Sequence, residues 1–399
     1  MEIHQELRGP LHGVKVVDLS HVQSGPICTM LLGDMGAEVI KVESFAGDQF
    51  RLPMEGAHFV NFNRNKRGIA LDLKKGEGKE IVLRLAKKAD VFVENFLPGA
   101  LERLGLGYDT IRQLNPRIIY CSISGFGQIG PYRERPAYEP ILQAMSGIMD
   151  TTGEPDRPPV RIRPAMIDYC TAMNAAFGIA VSLIEREKTG QGQRIDVALL
   201  DVAINAMSPY VTQFKRTGEL PKRAGSSQPT AAPFQAFETG DGLIYIGAAT
   251  DEMWQNLCRA LGLEDLSRNP RYATRQGRIE HREELAEELN KVTKRYRSQD
   301  LESKLLAVDV PCAKIRTIGE IIQEPHVQSR GILEEVDYPI MGKIMTIKTP
   351  IFFSGGPPTT RWRAPLLGEH TREVLIELGY SHQEIQDLIN RRIAVQYEP

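Results

Sequence analysis

The chain has 399 residues, more than one hydrophobic core usually serves, so we expect two domains. Hydrophobic residues make up 42% of it and charged residues 25%, as in ordinary globular proteins, and the formal net charge is only −2. Such a charge provides no global field for nucleic acid or an anionic membrane, so we expect neither as a partner.

Strands and helices alternate over the first 125 residues. Short apolar runs predict strands at 14–19, 37–43, 69–73, 89–96 and 117–123, with helices at about 26–35 and 76–88. This alternation predicts an α/β fold with a Rossmann-like parallel sheet covered by helices. Such sheets bind ligands beyond the carboxyl ends of their strands, here residues 21–25, 43–44, 95–96 and 122–127. The first turn, SHVQSGP, lacks the GxGxxG fingerprint, which argues against a nicotinamide or flavin cofactor.

A long helix is predicted within RPAMIDYCTAMNAAFGIAVSLIEREKTGQG, residues 163–192. Small and apolar residues recur three or four positions apart on one face of it: Met173, Phe177, Ala180 and Ile184. Gly190 follows the last turn, where a left-handed residue commonly ends a helix. By this pattern Asp168 stands just before the first turn. It is either the N-cap or a reactive carboxylate, and the frequency of Asp at N-caps favours the cap.

A change in composition marks the middle of the chain. Residues 214–233 are rich in Pro, Gly, Ser and Lys and predict a crossing between domains. Further elements are predicted as strands at 194–200 and 242–249, helices at 252–261, 282–292, 371–378 and 382–390, and an extended return linker at 333–368. We therefore expect a large domain at 1–210 and 330–399 and a small domain at 230–325, with linkers at 211–229 and 326–366.

Signatures of metal, thiol and serine chemistry are missing from the sequence. The eight histidines are scattered, the five cysteines form no CxxC pair, and neither HExxH nor GxSxG occurs. The start of the chain lacks the apolar core of a signal peptide, and the longest apolar run, about 175–184, is too short for a bilayer. We expect a cytoplasmic protein without a metal, whose chemistry uses a carboxylate, ionised at neutral pH.

Seven motifs follow one another along the chain. They are LxGxxVxDxSHVQSGP (11–26), GAEVIKVE (36–43), NKRGIALDLK (65–74), ADVFVENFLPGALERLGLGY (89–108), SGFGQIGP (124–131), TGQGQRIDVALLD (189–201) and RAPLLGEHTREVL (363–375). In this order they resemble, nearly end to end, the family III coenzyme A transferases, which include formyl-CoA:oxalate and carnitine CoA-transferases. The resemblance implies that Asp168 is the catalytic aspartate.

The resemblance also implies a reaction. CoA moves from an acyl-CoA thioester to a free carboxylic acid through aspartyl-anhydride intermediates on Asp168, with Glu139 and Gln23 as further catalytic residues. CoA or acyl-CoA is then a substrate, and no cofactor is bound permanently. The implied CoA contacts are His21, Val22, Gln23, Ser24, Leu71, Lys74, Asn95, Phe96, Arg103 and Tyr138. Lys74 and Arg103 suit phosphates, although either could equally be a solvated surface charge.

The family's architecture implies a large CoA-binding domain built from both chain ends, a smaller α+β middle domain, and an interlocked, ring-like homodimer. The two long crossings, 214–233 and 333–368, fit that arrangement. The sequence departs from the family pattern at three places. Ser44 replaces an arginine, so one nucleotide contact is missing or supplied elsewhere, and Pro136 replaces a lysine of the formyl-CoA enzymes, for which neighbouring Arg135 could compensate. GSSQPTAAP (225–233) replaces the glycine-rich loop of the oxalate enzymes, which argues against oxalate as acceptor.

Three other functions stay open. An α-methylacyl-CoA racemase shares the fold, but its histidine would fall at Tyr138, whose phenol is a poor base at neutral pH. A non-catalytic CoA-binding subunit would have lost Asp168, which is retained here, and a dehydrogenase would need the missing glycine fingerprint. The sequence also leaves open whether Arg161 and Arg163 clamp the second carboxylate of a dicarboxylic acid or are ordinary surface charges.

Overall fold

A mixed seven-stranded sheet forms the centre of the large unit of this computed structural model, which describes residues 9–52, 56–339, 341–354 and 360–398. The strands lie in the order β12-β3-β2-β1-β4-β5-β6, with only β12 antiparallel to its neighbour. Their bounds are β1 Lys15–Asp18, β2 Glu38–Glu43, β3 Lys66–Leu71, β4 Val91–Glu94, β5 Ile119–Ser124, β6 Arg194–Ala198 and β12 Ala394–Val395. The predicted α/β fold is confirmed.

Helices cover this sheet. They are α1 Ser24–Asp34, α2 Ala57–Phe62, α3 Gly76–Lys88, α4 Ala100–Leu104, α5 Tyr108–Leu114, α6 Glu139–Ser146, α8 Met166–Thr189, α9 Leu199–Ala206, α18 Thr371–Glu377 and α19 His382–Asn390. Helices α7 Ile148–Thr151 and α10 Ser208–Thr217 lie wholly or mostly in the second unit described below. Strands β4 and β5 are buried along their whole length, as expected for parallel strands covered on both faces. In the core, Phe92 of β4 stacks on Tyr120 of β5 at 5.0 Å between ring centres.

The chain falls into two compact units, the large one comprising residues up to 147, 162–209 and from 328 onward. The second comprises 148–161 and 210–327, and its antiparallel sheet has the order β7-β8-β9. Its elements are β7 Phe234–Glu238, β8 Leu243–Gly247, α11 Asp251–Leu261, α12 Glu264–Arg268, α13 Arg275–Glu280, α14 Arg282–Thr293, α15 Ser298–Leu306, β9 Cys312–Lys314, α16 Ile318–Ile321 and α17 Pro325–Arg330. Trp254 and Leu289 lie at the centre of its apolar core.

The first part of the extended return linker predicted at 333–368 forms regular secondary structure. Strands β10 (Leu333–Tyr338) and β11 (Gly342–Ile347) form an antiparallel hairpin. Only Tyr338 and Thr346 of these two strands are buried, and their other residues are half-buried or exposed, so neither strand has the fully buried pattern of the central sheet. Beyond the hairpin, Thr349 donates a hydrogen bond to Asp34 at 2.5 Å, and Arg64 pairs with the same carboxylate. This buried network fastens the returning chain to α1.

Helix α8 is longer than the apolar run that marked it in the sequence. It spans 24 residues and is long and apolar enough to cross a membrane by length and composition alone. Its buried face includes Ile167, Ala175 and Ile179 and packs on α1, β5 and β6. The opposite face carries Met173 and Phe177, which are 61% and 69% exposed in one copy of the chain. The stripe predicted from helical spacing is therefore the exposed one.

Candidate active site

The turn between β1 and α1 is held from several sides. Asp18, fully buried at the end of β1, accepts hydrogen bonds from the backbone and hydroxyl of Ser20 and pairs with Lys66 at 2.9 Å. Burial opposes ionisation of Asp18, but Lys66 and Lys41 outweigh it and hold the pKa of this carboxyl below its ordinary value. The turn therefore rests on a buried, ionised anchor.

His21 lies in this turn and is fixed through its backbone. Its N–H donates to the side-chain oxygen of Asn95 at 2.9 Å, and its carbonyl accepts from the same amide at 2.8 Å. The imidazole lies 5.0 Å from the ring of Phe96. Burial lowers the pKa of His21, so at pH 7 the ring is neutral and available for packing and hydrogen bonding. Asn95, predicted to contact a ligand, has its side chain committed to the turn.

Asp168 lies in the first turn of α8, and its prediction as the N-cap is wrong. The helix begins at Met166, the N-cap is Ala165, and no side chain caps it. The motif that opens the helix, RPAM, gives it no Ser, Thr or Asp cap, so Asp168 moves inside, where the helix dipole favours a negative charge. Its carboxyl is half-buried between Ser24 of α1 and Glu139 of α6.

These surroundings change the acidity of Asp168. Burial, followed by the negative charge of Glu139, raises its pKa from 3.8 to about 7, and a hydrogen bond from Ser24 opposes the rise. Carboxyl groups with such a pKa are found where chemistry requires a reactive carboxylate at neutral pH.

Glu139 is itself held in place by a neighbouring amide. Gln143, 1% exposed, donates to Glu139 Oε1 at 2.7 Å and to the carbonyl of Ile162 at 3.0 Å, and its oxygen accepts from the N–H of Ile162 at 2.8 Å. The N–H of Ile167 reaches the same Oε1 at 3.4 Å. Glu139 Oε2 is buried and has no hydrogen-bond partner among the described residues. A buried acceptor without a donor fits a ligand that brings one.

The chain resembles known proteins over most of its length. A model of CoA-transferase family III matches residues 11–371. The chain belongs to CoA-transferase family III. It is 37% identical to the human succinyl-CoA:glutarate CoA-transferase, over 98% of this chain and 91% of that protein. It is 39% identical to a succinyl-CoA:mesaconate CoA-transferase of Haloarcula hispanica, over 93% and 97%.

Solved structures give the same result for the fold of this CoA-transferase. A crystal structure of a CAIB/BAIF family protein from Brucella suis superposes with a TM-score of 0.85 at 38% identity, covering 93% of this chain and all, 100%, of that one. The protein is therefore an enzyme of the CoA-transferase class, acting on CoA thioesters.

The structure brings together only some of the CoA contacts predicted for the transferase. In the turn between β1 and α1, His21 contacts the ring of Phe96 and the side chain of Asn95. Ser24, at the start of α1, donates a hydrogen bond to Asp168. Gln23 occupies the N-cap position of α1, where its amide makes no capping bond. Ser24 is thus the predicted contact that meets Asp168 directly, and Gln23 precedes it in the chain.

The other predicted contacts differ in their burial. Leu71 is fully buried in the core, so a ligand could meet only its backbone. Lys74 and Arg103 are exposed, without an ion-pair partner among the described residues, and Tyr138 is 63% exposed beside buried Glu139.

Sequence reasoning missed two residues of the site. Gln143 follows Glu139 by one helical turn, and that spacing is the signal that could have found it. Asp48 lies in a loop after β2, and its side chain accepts from the N–H of Val22. Nothing local in the sequence marks Asp48, because its partner lies 26 residues away.

Proposed function

We propose that this transferase moves CoA from an acyl-CoA thioester to a free carboxylic acid through covalent intermediates on Asp168. The observation that carries the proposal is the placement of the Asp168 carboxyl, with a pKa of about 7, between Ser24 and Glu139 at the start of α8. A carboxylate needs no base to act as nucleophile, and a covalent relay divides one difficult exchange into easier steps.

The proposed exchange has four acyl-transfer steps. Asp168 attacks the donor thioester, the C–S bond breaks, and CoA thiolate leaves behind a mixed anhydride. The thiolate attacks the aspartyl carbonyl, which releases the donor acid and leaves an aspartyl-CoA thioester. The acceptor carboxylate attacks this thioester to form a second anhydride and thiolate. The thiolate then attacks the acceptor's carbonyl, giving the new acyl-CoA and restoring Asp168.

Each addition places negative charge on an oxygen that needs donors. Gln23 carries an amide that no cap uses, and the adjoining N–H groups lie at the positive end of α1, so we assign the stabilisation of this charge to them. Glu139 stays next to Asp168 and destabilises its ionised form, which makes the carboxylate a better nucleophile once the site closes on a substrate.

Trapping tests the covalent step. Wild-type enzyme incubated with succinyl-CoA and hydroxylamine should yield a hydroxamate at Asp168, found by mass spectrometry of the peptide that contains it. Glu185, an exposed acid later on α8, serves as the internal control and should stay unmodified. Modification elsewhere, or none during active turnover, would contradict the aspartyl intermediate.

The substrates we propose are dicarboxylic acids, with succinyl-CoA as donor. The human relative is named for glutarate and the Haloarcula relative for mesaconate, both dicarboxylic acids. Arg161 and Arg163 lie shortly before Asp168 in the chain, exposed and without an ion-pair partner among the described residues, as a carboxylate clamp would be before substrate binds. Mass spectrometry of CoA products from mono- and dicarboxylic acids would test this. Solvent deuterium entering the α-carbon without CoA exchange would indicate a racemase instead.

Phosphate recognition by Lys74 and Arg103 gives a prediction in binding. Lys74→Ala and Arg103→Ala should each weaken the binding of CoA by about 1–3 kcal/mol, because a charge-assisted hydrogen bond to phosphate is lost. Dephospho-CoA lacks the 3′-phosphate, so if one of the two residues contacts that phosphate, its replacement should weaken the binding of dephospho-CoA less than that of CoA. Calorimetry with both ligands measures this, and Lys188→Ala, an exposed cation on α8, is the control. Equal losses for both ligands in both variants would show that these residues meet other phosphates.

We also propose that the enzyme is a homodimer, interlocked as the sequence resemblance implies. The exposed face of α8 borders an apolar cavity of about 920 Å³, whose lining includes Met30, Phe177, Ile347 and Phe353. None of the predicted CoA contacts lines it. Exposed apolar surface of this kind is typical of an interface between subunits.

Light scattering at micromolar concentration should therefore give twice the 44.6 kDa mass of one chain. Phe177→Asp places a charge in the proposed interface, so it should weaken assembly and reduce the measured mass toward that of one chain. Leu114→Asp, on an exposed apolar residue of α5, is the matched control and should leave the mass unchanged. A stable wild-type monomer would refute the dimer.

A further inference from the structure

Val22 has a backbone conformation that its side chain disfavours. Its φ is +67°, in the left-handed region, and it is branched at Cβ. Asn and Asp enter this region readily, whereas a β-branched residue there is an outlier that costs about 1–3 kcal/mol. Val22 directly precedes Gln23 and Ser24, and Ser24 donates a hydrogen bond to Asp168. Something must hold the turn in this conformation.

Asp48 makes the hydrogen bonds that hold it. The Val22 N–H donates to both carboxylate oxygens of Asp48, at 3.2 Å each, and Phe50 N–H donates to Asp48 Oδ1 at 2.9 Å. The Asp48 side chain is inaccessible to solvent and pairs with Lys41 Nζ at 3.2 Å. A charged acceptor in a buried setting makes a stronger hydrogen bond than a neutral one, which suits it to oppose strain.

The same lysine binds the other end of the turn. Lys41 Nζ donates to the carbonyl of Ser20 at 2.7 Å and is itself fully buried. Asn95 holds both backbone groups of His21. The peptide chain from Ser20 to Val22 is thus fastened by side chains from β2, from the loop after β2 and from the end of β4.

We propose that Asp48 is a positioning residue, which keeps Val22 in its left-handed conformation so that Gln23 and Ser24 meet Asp168. This inference rests on the proposed function of Asp168. Without the Asp48 carboxylate, Val22 is free to relax to an ordinary φ, and the peptide groups that follow it turn away from the reacting carboxylate.

A double-mutant cycle separates this role from a contribution to the fold. Asp48→Asn should lower kcat/KM by about tenfold or more, as release of the strain energy implies. A glycine has no penalty in the left-handed region, so in a Val22→Gly background the same Asp48→Asn change should cost less than about threefold. The melting temperature should fall in both backgrounds, because Lys41 loses a charged partner in both, and it should fall less in the Val22 background, where relaxation of the strained residue offsets part of the loss.

Two further measurements complete the test. Asp48→Glu keeps a charge for Lys41 but displaces the carboxylate from Val22. If Asp48→Asn does not fold, Asp48→Glu takes its place and should likewise lower kcat/KM more in the Val22 background than in the Val22→Gly background. The same cycle measured as CoA affinity by calorimetry needs no turnover. Absence of acyl exchange in the wild type would therefore contradict the proposed function, while the affinity cycle would still decide the role of Asp48. Equal losses of kcat/KM and of affinity in both backgrounds would overturn the proposal.

Discussion

Replacing Asp168 with Asn is expected to reduce acyl exchange by several orders of magnitude while CoA binding persists. Asn has the shape of Asp but no ionised oxygen, so neither the anhydride nor the aspartyl thioester can form. Exchange of CoA between succinyl-CoA and labelled acids measures the loss, and calorimetry measures the binding. Asp201→Asn changes an acid in the first turn of another helix, α9, and is a matched control that should retain activity. A folded Asp168→Asn enzyme with near-normal turnover would refute the mechanism.

The same variant should be more stable than the wild type at neutral pH. Unfolded Asp168 ionises near 3.8 and folded Asp168 near 7, so the folded state retains a proton that the unfolded state has lost between these values. Wild-type stability therefore falls as pH rises through this window, whereas Asn does not titrate. Because the carboxyl is partly exposed, we expect a gain of about 2 kcal/mol for Asp168→Asn above pH 7 and none below pH 4. Thermal unfolding from pH 4 to 8 checks the sign.

The second large effect is expected in the pH dependence of exchange. Only ionised Asp168 attacks the thioester, so kcat/KM should rise about tenfold per pH unit below 7 and level off above it. Removing the neighbouring charge with Glu139→Gln lowers the pKa of Asp168 and should move this acid limb to lower pH. Since burial is the larger cause of the raised pKa, the limb should stop well above pH 3.8.

Ser24→Ala provides the opposite control. Its hydroxyl donates to Asp168 and lowers the pKa, so its removal should move the limb to higher pH. Both variants will reduce the plateau rate, since both residues face the reacting carboxylate, and the position of the limb is the quantity to compare. Limbs that move in the same direction, or stay fixed in both variants, would show that another group controls the profile.

The central strands could be predicted from sequence because burial on both faces leaves a continuous apolar run, as in VFV at residues 91–93 of β4. The two residues of β12 and the charged hairpin at 333–347 carry no such signal. For the site, the resemblance indicated Asp168, but the local sequence pattern placed this residue just before the first turn of α8, whereas it lies within that turn. Its neighbours Ser24 and Glu139 come from distant helices, so no spacing in the sequence could reveal the contact that sets its acidity.

Strand β12 also has a consequence for biosynthesis. Ala394 and Val395 pair with Leu71 and Ala70 and close the outer edge of β3, and the hydroxyl of Thr371 donates to the carbonyl of Val395. The ribosome delivers β3 long before β12, so a nascent chain carries an unpaired strand edge through most of its translation. A chain that is stalled or clipped before residue 394 keeps that edge open, in the form that recruits other strands into aggregates.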